Sequence, residues 1–405
     1  MRRPLQLRST PKKYLYDGHR AVDPSITLKR IEPLCKVAGI TRVADITHLD
    51  RVGIPVYSSV RPSAETGAIS IYNGKGATKD QAKVSAIMEG LERYSAELGN
   101  REIIRATLDD MQSSKHVINP RELILPHRAM HYLEFEKIAW IEGIDLGEME
   151  SIWVPAAAVF HPYAPKLDIP LFRSNTNGLA SGNSIEEAIL HGLCEVVERD
   201  AWSICEAHRC VKADLVLDTE TGLVHDLVQK FESQGISIHM KDLTSDIGIP
   251  TIGVAADDWK TRDATLLVMG IGTHLNPNIA AIRALTEAAQ SRVTQIHGAR
   301  EDTVRAKFRQ RLGYERTKAI NSMWFSDSGK RIALSEMPPL DTLDIYEDIM
   351  IVLEKIKQRG FKKIIVVDLT RQELNIPVVR VIIPGLEVFA LDEERYGPRL
   401  RSNVS

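Results

Sequence analysis

Cysteine is scarce in this chain: four in 405 residues, at 35, 194, 205 and 210, with no two in a CxxC pair. That spacing supports neither a zinc ribbon nor a thioredoxin-type redox site. Cys194 lies in an apolar helical run and is expected to be a small buried hydrophobe. Cys205 and Cys210 flank His208, but their spacing fits no common metal site, and packing accounts for them. An excess of charge is also missing. The 52 Lys+Arg against 54 Asp+Glu leave a net charge of −2, which argues against a protein that holds nucleic acid or anionic membranes by bulk charge. No run approaches the ~20 apolar residues of a membrane span. The basic start Met1-Arg2-Arg3-Pro4 lacks the apolar core of a signal peptide. At 43% hydrophobic and 26% charged residues, the composition is that of a globular chain and excludes wholesale disorder. A soluble, cytoplasmic protein is expected, with no nucleic acid and no membrane as partner.

Three long helical segments are present. The first, about 79 to 98, follows a β-like run at Ala68–Tyr72 and a turn expected at Asn73-Gly74-Lys75-Gly76. The second runs from Ser184 to about Glu206, with Ser184 as N-cap and Glu187 completing a capping-box pattern. The third, about Ile279 to Ile296, follows an apolar strand at Ala264–Ile271. Further strands are expected at 237–242, 250–255, 363–368 and 378–383, and further helices at 222–233 and 343–357. No linker or short-period repeat divides the chain, so one α+β domain over 1–405 is expected. The last residues, Arg399 to Ser405, read as an exposed tail.

The informative pattern is Glu-x-x-Glu-Arg, present as Glu89–Arg93 and again as Glu195–Arg199, each with an Asn-Gly pair upstream. At about 100° per residue, Ser85, Glu89, Glu92 and Arg93 share one helical stripe. Glu187, His191, Glu195, Glu198 and Arg199 form the matching stripe of the second helix. Arg283, Glu287 and Gln290 continue the theme on the third. Such a motif alone is ordinarily a solvated face whose local pairs contribute about 0.3–0.5 kcal/mol. The repetition, and the small residues Ala82, Ala86 and Ala96 beside the first stripe, point instead to clustered carboxylates that a ligand approaches. Clustered carboxylates repel unless cations lie among them. Glutamates from several helices suit Mg2+, which is commonly shared between a few carboxylates and phosphates. The arginines and the Gly74-Lys75-Gly76 segment offer partners for phosphate oxygens. Neither a Walker A loop nor a dinucleotide fingerprint is present: Gly74–Thr78 and Gly270-Ile271-Gly272 both lack the required spacing.

The segments Asn73–Thr78, Ser85–Ser95, Gly182-Asn183 with Glu187, Glu195, Glu198 and Arg199, Ala284–Arg292 and Pro384–Glu387 resemble the YcaO family, over about Gly18 to Gly397. The resemblance implies a YcaO-type ATP-binding fold, ATP and several Mg2+ ions as cofactors, and phosphorylation of a peptide-backbone amide oxygen. It implies metal roles for Glu89, Glu92, Glu187, Glu195, Glu198 and Glu287. Ser85, Asn183, Arg199 and Arg283 match nucleotide-contacting positions, and Lys75 belongs to the same motif. Arg20 and Thr27, seven residues apart, are similar to a Lys/Ser pair near the nucleotide in some relatives, although both residue types differ here.

Azoline-forming members commonly finish in a proline-rich tail, whereas no proline follows Pro398 here. The expected reaction is therefore thioamidation with sulfide as nucleophile, by resemblance to archaeal members that convert a glycine of the methyl-coenzyme M reductase alpha subunit to thioglycine. A TfuA partner, a sulfide donor and a homodimer are implied by the same resemblance. An azoline-forming cyclodehydratase and a non-catalytic ATP-binding accessory of a thiolation system remain the alternatives. No residue is singled out as general base. His127, His131 and His161 show no ligand spacing, and Tyr94 and Trp202 are expected to pack rather than to stack on a base.

Overall fold

The computed structural model describes residues 5–401, apart from 132, 134–135, 165–167, 170 and 300–303. The first four and last four residues, including the 402–405 part of the expected tail, lie outside the described residues. The strands are, in chain order, β1 (Arg42–Asp45), β2 (Val56–Val60), β3 (Ile71–Lys75), β4 (Ile104–Ala106), β5 (Ile138–Asp145), β6 (Glu150–Pro155) and β7 (Leu179–Ser181). They continue with β8 (Ala213–Val216), β9 (Ser237–Asp242), β10 (Thr251–Asp257), β11 (Val268–Thr273), β12 (Arg331–Ala333), β13 (Ile365–Asp368) and β14 (Val378–Ile382). The helices of eight or more residues are α1 (Pro24–Ile31), α2 (Lys79–Ala96), α3 (Ile185–His208), α4 (Leu223–Glu232), α5 (Pro277–His297), α6 (Val304–Leu312) and α7 (Ile345–Gln358).

Three sheets carry these strands, in the orders β1-β2-β3, β11-β10-β9-β8-β12 and β4-β5-β13-β14-β7, with β6 paired on β5. Helices and strands are mixed along the chain in an α+β arrangement, as expected. The run Ile364–Val367 shows why the third sheet sits at the centre. Ile365 and Val367 pack into one apolar cluster with Trp140 and Phe160, while Ile364 and Val366 pack into another with Ile189, Leu193 and Val197 of α3. A strand buried on both faces is apolar at every position. Each fully buried Ile, Leu or Val stabilises this arrangement by about 1.5–3 kcal/mol.

Small residues let helices lie directly on strand backbones. A Cβ at Gly74 on β3 would sit 2.0 Å from the Ala86 nitrogen and 2.4 Å from the Ala82 oxygen of α2. On β11, a Cβ at Gly270 or Gly272 would lie 2.1 or 2.2 Å from carbonyl oxygens of α5. This corrects two expectations. Asn73-Gly74-Lys75 does not turn: it is the second half of β3, paired with Val56–Ser58. Ala82, Ala86 and Ala96 are fully buried, and the first two face β3 rather than bordering a ligand. In contrast, Asn177-Gly178 does turn, with Gly178 at φ +75°.

Other differences are local. The apolar run from Ala264 opens as a short 3-10 turn before β11 starts at Val268. Ser184 caps α3 through its hydroxyl, accepting from the Glu187 N–H at 3.1 Å, but the Glu187 carboxylate does not complete the box: it is engaged by Ala21 and Asn183. Arg399 and Leu400 are not an exposed tail. Arg399 forks onto Asp200 at 2.9 and 3.0 Å and also reaches Asp246, and Leu400 is buried.

Candidate nucleotide and metal site

The three long helices bring their polar stripes to one cavity of about 550 Å3. Arg20, Thr27, Lys75, Ser85, Asn183, Arg199 and Arg283 line it, and so do Glu89, Glu92, Glu187, Glu195, Glu198 and Glu287. Helices α1, α2, α3 and α5, strand β3 and the segments around Arg20 and Asn183 thus bring together the residues singled out from spacing and resemblance.

Five of the six glutamates are held by a neighbour of defined chemistry. Glu187 accepts from the Ala21 N–H at 2.9 Å and from Asn183 Nδ2 at 3.1 Å, with Arg20 at 3.7 Å. Thr27 donates its hydroxyl to Asn183 Oδ1 at 2.8 Å, which leaves the amide nitrogen to face Glu187. The Arg20/Thr27 pair is thereby tied to α3. Glu92 accepts from the Ser181 hydroxyl at 2.9 Å, and Glu198 from the Thr273 N–H at 2.9 Å. Glu89 pairs with Arg93 at 3.1 Å, and Glu287 with Lys75. Arg199 lies 3.7 Å from Glu198 and over the Trp202 ring at 5.5 Å.

Burial sets the electrostatics. It pushes the Glu92 carboxyl up to about 8, against the pull of Arg93 and with the push of Glu195 and Glu89. Glu198 is raised to about 7 by burial, with Arg199 opposing, and Glu195 is raised for the same reason. At Glu287 burial also pushes upward, but Lys75, Arg199 and Arg283 together hold the carboxyl below its usual range. Burial keeps His191 neutral. Its Nε2 faces Arg283 at 3.4 Å, so it acts as acceptor to the guanidinium. The Arg283 Nε is buried and has no partner among the described residues.

Among the described residues, no three His, Cys, Asp or Glu side chains converge closely enough to form a metal site by themselves. The donor set still fits Mg2+, which takes one or two carboxylates at a time and completes its shell with phosphate oxygens and water. Hard carboxylate oxygens, most of them with one lone pair already pinned, stand around a cavity that also presents Arg20, Lys75, Arg93, Arg199 and Arg283. That mixture of anions and cations suits a metal–polyphosphate.

Spacing gave no signal for Ser181, for the Thr273 N–H, or for Asp17, His19 and His274, which also line the cavity. Tyr94 packs between Arg61 and Arg371, at 5.1 and 4.6 Å from its ring, and Trp202 bonds Glu206; both pack as expected. Cys194 is buried and lines the cavity wall.

The fold and this acidic, arginine-rimmed cavity make a candidate ATP- and Mg2+-binding site without a P-loop or dinucleotide fingerprint in the sequence. A family model described as "YcaO cyclodehydratase", ATP- and Mg2+-binding, matches residues 73–387. The chain belongs to the YcaO family. It is 51% identical over 388 residues to an uncharacterized protein of Methanothermobacter thermautotrophicus, covering 95% of this chain and 99% of that one. It is 33% identical to an uncharacterized protein in the tfuA 3' region of Rhizobium leguminosarum bv. trifolii, covering 91% and 89%. Among solved structures, YcaO from Methanopyrus kandleri bound with AMPPCP and Mg2+ superposes with a TM-score of 0.80 at 31% identity, over 96% of this chain and 98% of that one. ATP and Mg2+, implied by the resemblance, are the ligands of the family's own description.

Proposed function

We propose that this chain is an ATP- and Mg2+-dependent enzyme that activates a peptide-backbone amide by O-phosphorylation and completes the reaction with sulfide, giving a thioamide. The observation that carries this reading is the convergence of six glutamates and five cationic side chains on one cavity. Glu89, Glu92, Glu187, Glu195, Glu198 and Glu287 are assigned to Mg2+ and its waters. Lys75, Arg199 and Arg283 are assigned to phosphate oxygens, and Arg20, Thr27, Ser85 and Asn183 to the rest of the nucleotide. Bound Mg2+ supplies charge neutralisation for the transferring phosphoryl group.

In the proposed sequence, hydrosulfide adds to the amide carbon and the carbonyl π electrons move to oxygen. The oxyanion attacks the γ-phosphorus of ATP, and the bond to ADP breaks. The sulfur then passes its proton to the departing phosphate as C=S forms and the carbon–oxygen bond to phosphate breaks. Arg283, held by neutral His191, and Arg199, held by Glu198, keep positive charge directed at the oxygens on which negative charge develops.

The glycine of the methyl-coenzyme M reductase alpha subunit is the proposed target, a reading supported by the 51% identical relative from a methanogen. A TfuA-type partner is proposed for substrate docking or sulfur delivery, supported by the relative encoded in a tfuA 3' region. A homodimer is the proposed assembly.

The test is the intact mass of the target peptide after incubation with the protein, Mg-ATP and sulfide, with and without a TfuA partner. A gain corresponding to oxygen replaced by sulfur is expected. Loss of one water would mean azoline formation, in keeping with the cyclodehydratase wording of the family description. An unchanged peptide despite ATP hydrolysis, with the partner present, would point to an accessory role.

A further inference from the structure

The cavity-facing stripe of α5 changes chemistry along its length. Arg283 and Glu287 are charged; Gln290, Ser291, Thr294 and Gln295, which line the same cavity, are not. From Glu287 to Thr294 the helix advances about 10 Å, enough to separate a phosphate from a second ligand. Across from this stripe, Asn73 and Lys75 stand on one face of β3, two residues apart. Lys75 meets Glu287, whereas Asn73 meets Thr294 and Gln290.

The hydrogen bonds fix the direction of the Asn73 amide. Thr294 gives its hydroxyl proton to the Gln290 carbonyl at 2.7 Å, so towards Asn73 it only accepts, at 2.9 Å from Nδ2. Asn73 Oδ1 is therefore the free end. It is buried, in a residue 1% exposed, and has no partner among the described residues. Gln295 Oε1 is likewise buried and unpartnered. Two acceptor oxygens left unpaired among the described residues, on side chains that line the cavity, match a neutral ligand that brings N–H donors.

We propose that this lobe, formed by Asn73, Gln290, Ser291, Thr294 and Gln295, binds the backbone of the peptide substrate, with Asn73 Oδ1 and Gln295 Oε1 accepting from peptide N–H groups beside the amide to be activated. This rests on the amide-activating reading above. It satisfies the requirement that the reacting oxygen approach the phosphate end of the nucleotide, because the lobe adjoins Glu287 and Lys75. A backbone site lined by amides and hydroxyls suits glycine-rich sequence, where no side chain intervenes.

The probe is N-acetylglycine-N-methylamide, a minimal neutral diamide, at millimolar concentration with the full chain saturated with AMPPCP and Mg2+. Binding is read by saturation-transfer NMR, and nucleotide affinity separately by calorimetry. The expected result is a signal with the wild-type protein that falls about fivefold or more in Gln295→Met and in Asn73→Leu, with AMPPCP affinity unchanged. Gln295→Met keeps the test decisive if Asn73→Leu does not fold. No diamide signal with the wild-type protein, a signal unchanged in Gln295→Met, or an equal loss of AMPPCP affinity would each overturn the proposal. Diamide binding lost in the variants, but with no sulfur incorporation in the mass assay, would retain the lobe and reject the thioamidation reading instead.

Discussion

Glu198 has its carboxylate buried, raised to about 7 and held by the Thr273 N–H. Replacing it with Gln removes a charge that costs folding energy and, on the proposed assignment, a ligand of Mg2+. Glu198→Gln is therefore expected to lower ATP turnover by at least about 100-fold, some 2.7 kcal/mol of transition-state stabilisation. Its thermal midpoint should equal or exceed that of the wild type. Unchanged turnover in a steady-state phosphate assay would remove Glu198 from the metal set; collapse of the fold would assign it a purely structural role. Acid sensitivity belongs to the same scale. Burial holds His161 at about 3 and His19 at about 4, while the unfolded chain titrates its histidines near 6.5. Below that value the unfolded state takes up protons that the folded state refuses, so stability is lost as the pH falls from about 6.5 towards those folded values. Between pH 7 and 5.5 each of the two should cost about 1 kcal/mol. Urea midpoints at the two pH values, for the wild type and His161→Asn, measure it; the variant should lose less.

At the scale of elements, the site depends on helices seated without spacers on strands. Gly74→Val would force β3 away from Ala82 and Ala86 of α2, and with β3 would move Lys75 and Asn73. Overpacking of this kind costs about 1–3 kcal/mol, and more where backbone rather than side chain must give way. The expected outcome is a lower denaturation midpoint together with weakened AMPPCP binding; an unaltered midpoint would contradict the packing described. The Asp200–Arg399 fork makes a second case. Asp200 is fully buried on α3, and even with Arg399 beside it burial raises its carboxyl to about 6. Arg399→Met would strand that charge, with an expected loss of about 3–5 kcal/mol in unfolding free energy at pH 7.5. Asp200→Asn in the same background should recover part of it.

The lengths of most elements are legible from periodicity. Helix α3 was expected to end near Glu206 and ends at His208; the third long helix, expected at 279–296, spans Pro277–His297. The error at Asn73-Gly74 has a physical cause. Asn-Gly favours turns through the backbone freedom of Gly, whereas Gly74 is present because α2 approaches too closely for any Cβ. Local propensity cannot distinguish these uses of glycine. The capping-box expectation failed similarly: Glu187 lies at the right spacing, but Ala21 and Asn183 compete for its carboxylate.

At the scale of the whole molecule, a site shared among α2, α3, α5 and the chain near Arg20 couples ligand binding to overall stability. Mg2+ with AMPPCP at about 100 times its dissociation constant should add about 2.7 kcal/mol. The thermal midpoint should rise by a few degrees, and the rise should vanish when EDTA removes the metal. A nucleotide effect that survives EDTA would argue against a metal-bridged complex.

By itself the sequence determined the α+β class, the long helices, the acidic stripes and the family, because these follow from periodicity and from motifs carried on single helices. Only the tertiary structure decided that all thirteen residues reach one cavity, which partners hold five of the glutamates, and that Arg20 meets Glu187 directly and Thr27 through Asn183. It also decided that Asn73 leaves a buried oxygen unpaired. The physical reason is range: helical spacing constrains neighbours within a turn or two, such as Glu89–Arg93, whereas other contacts at this site join residues 60 to more than 200 positions apart, as Asp17–Ala77 and Lys75–Glu287 illustrate.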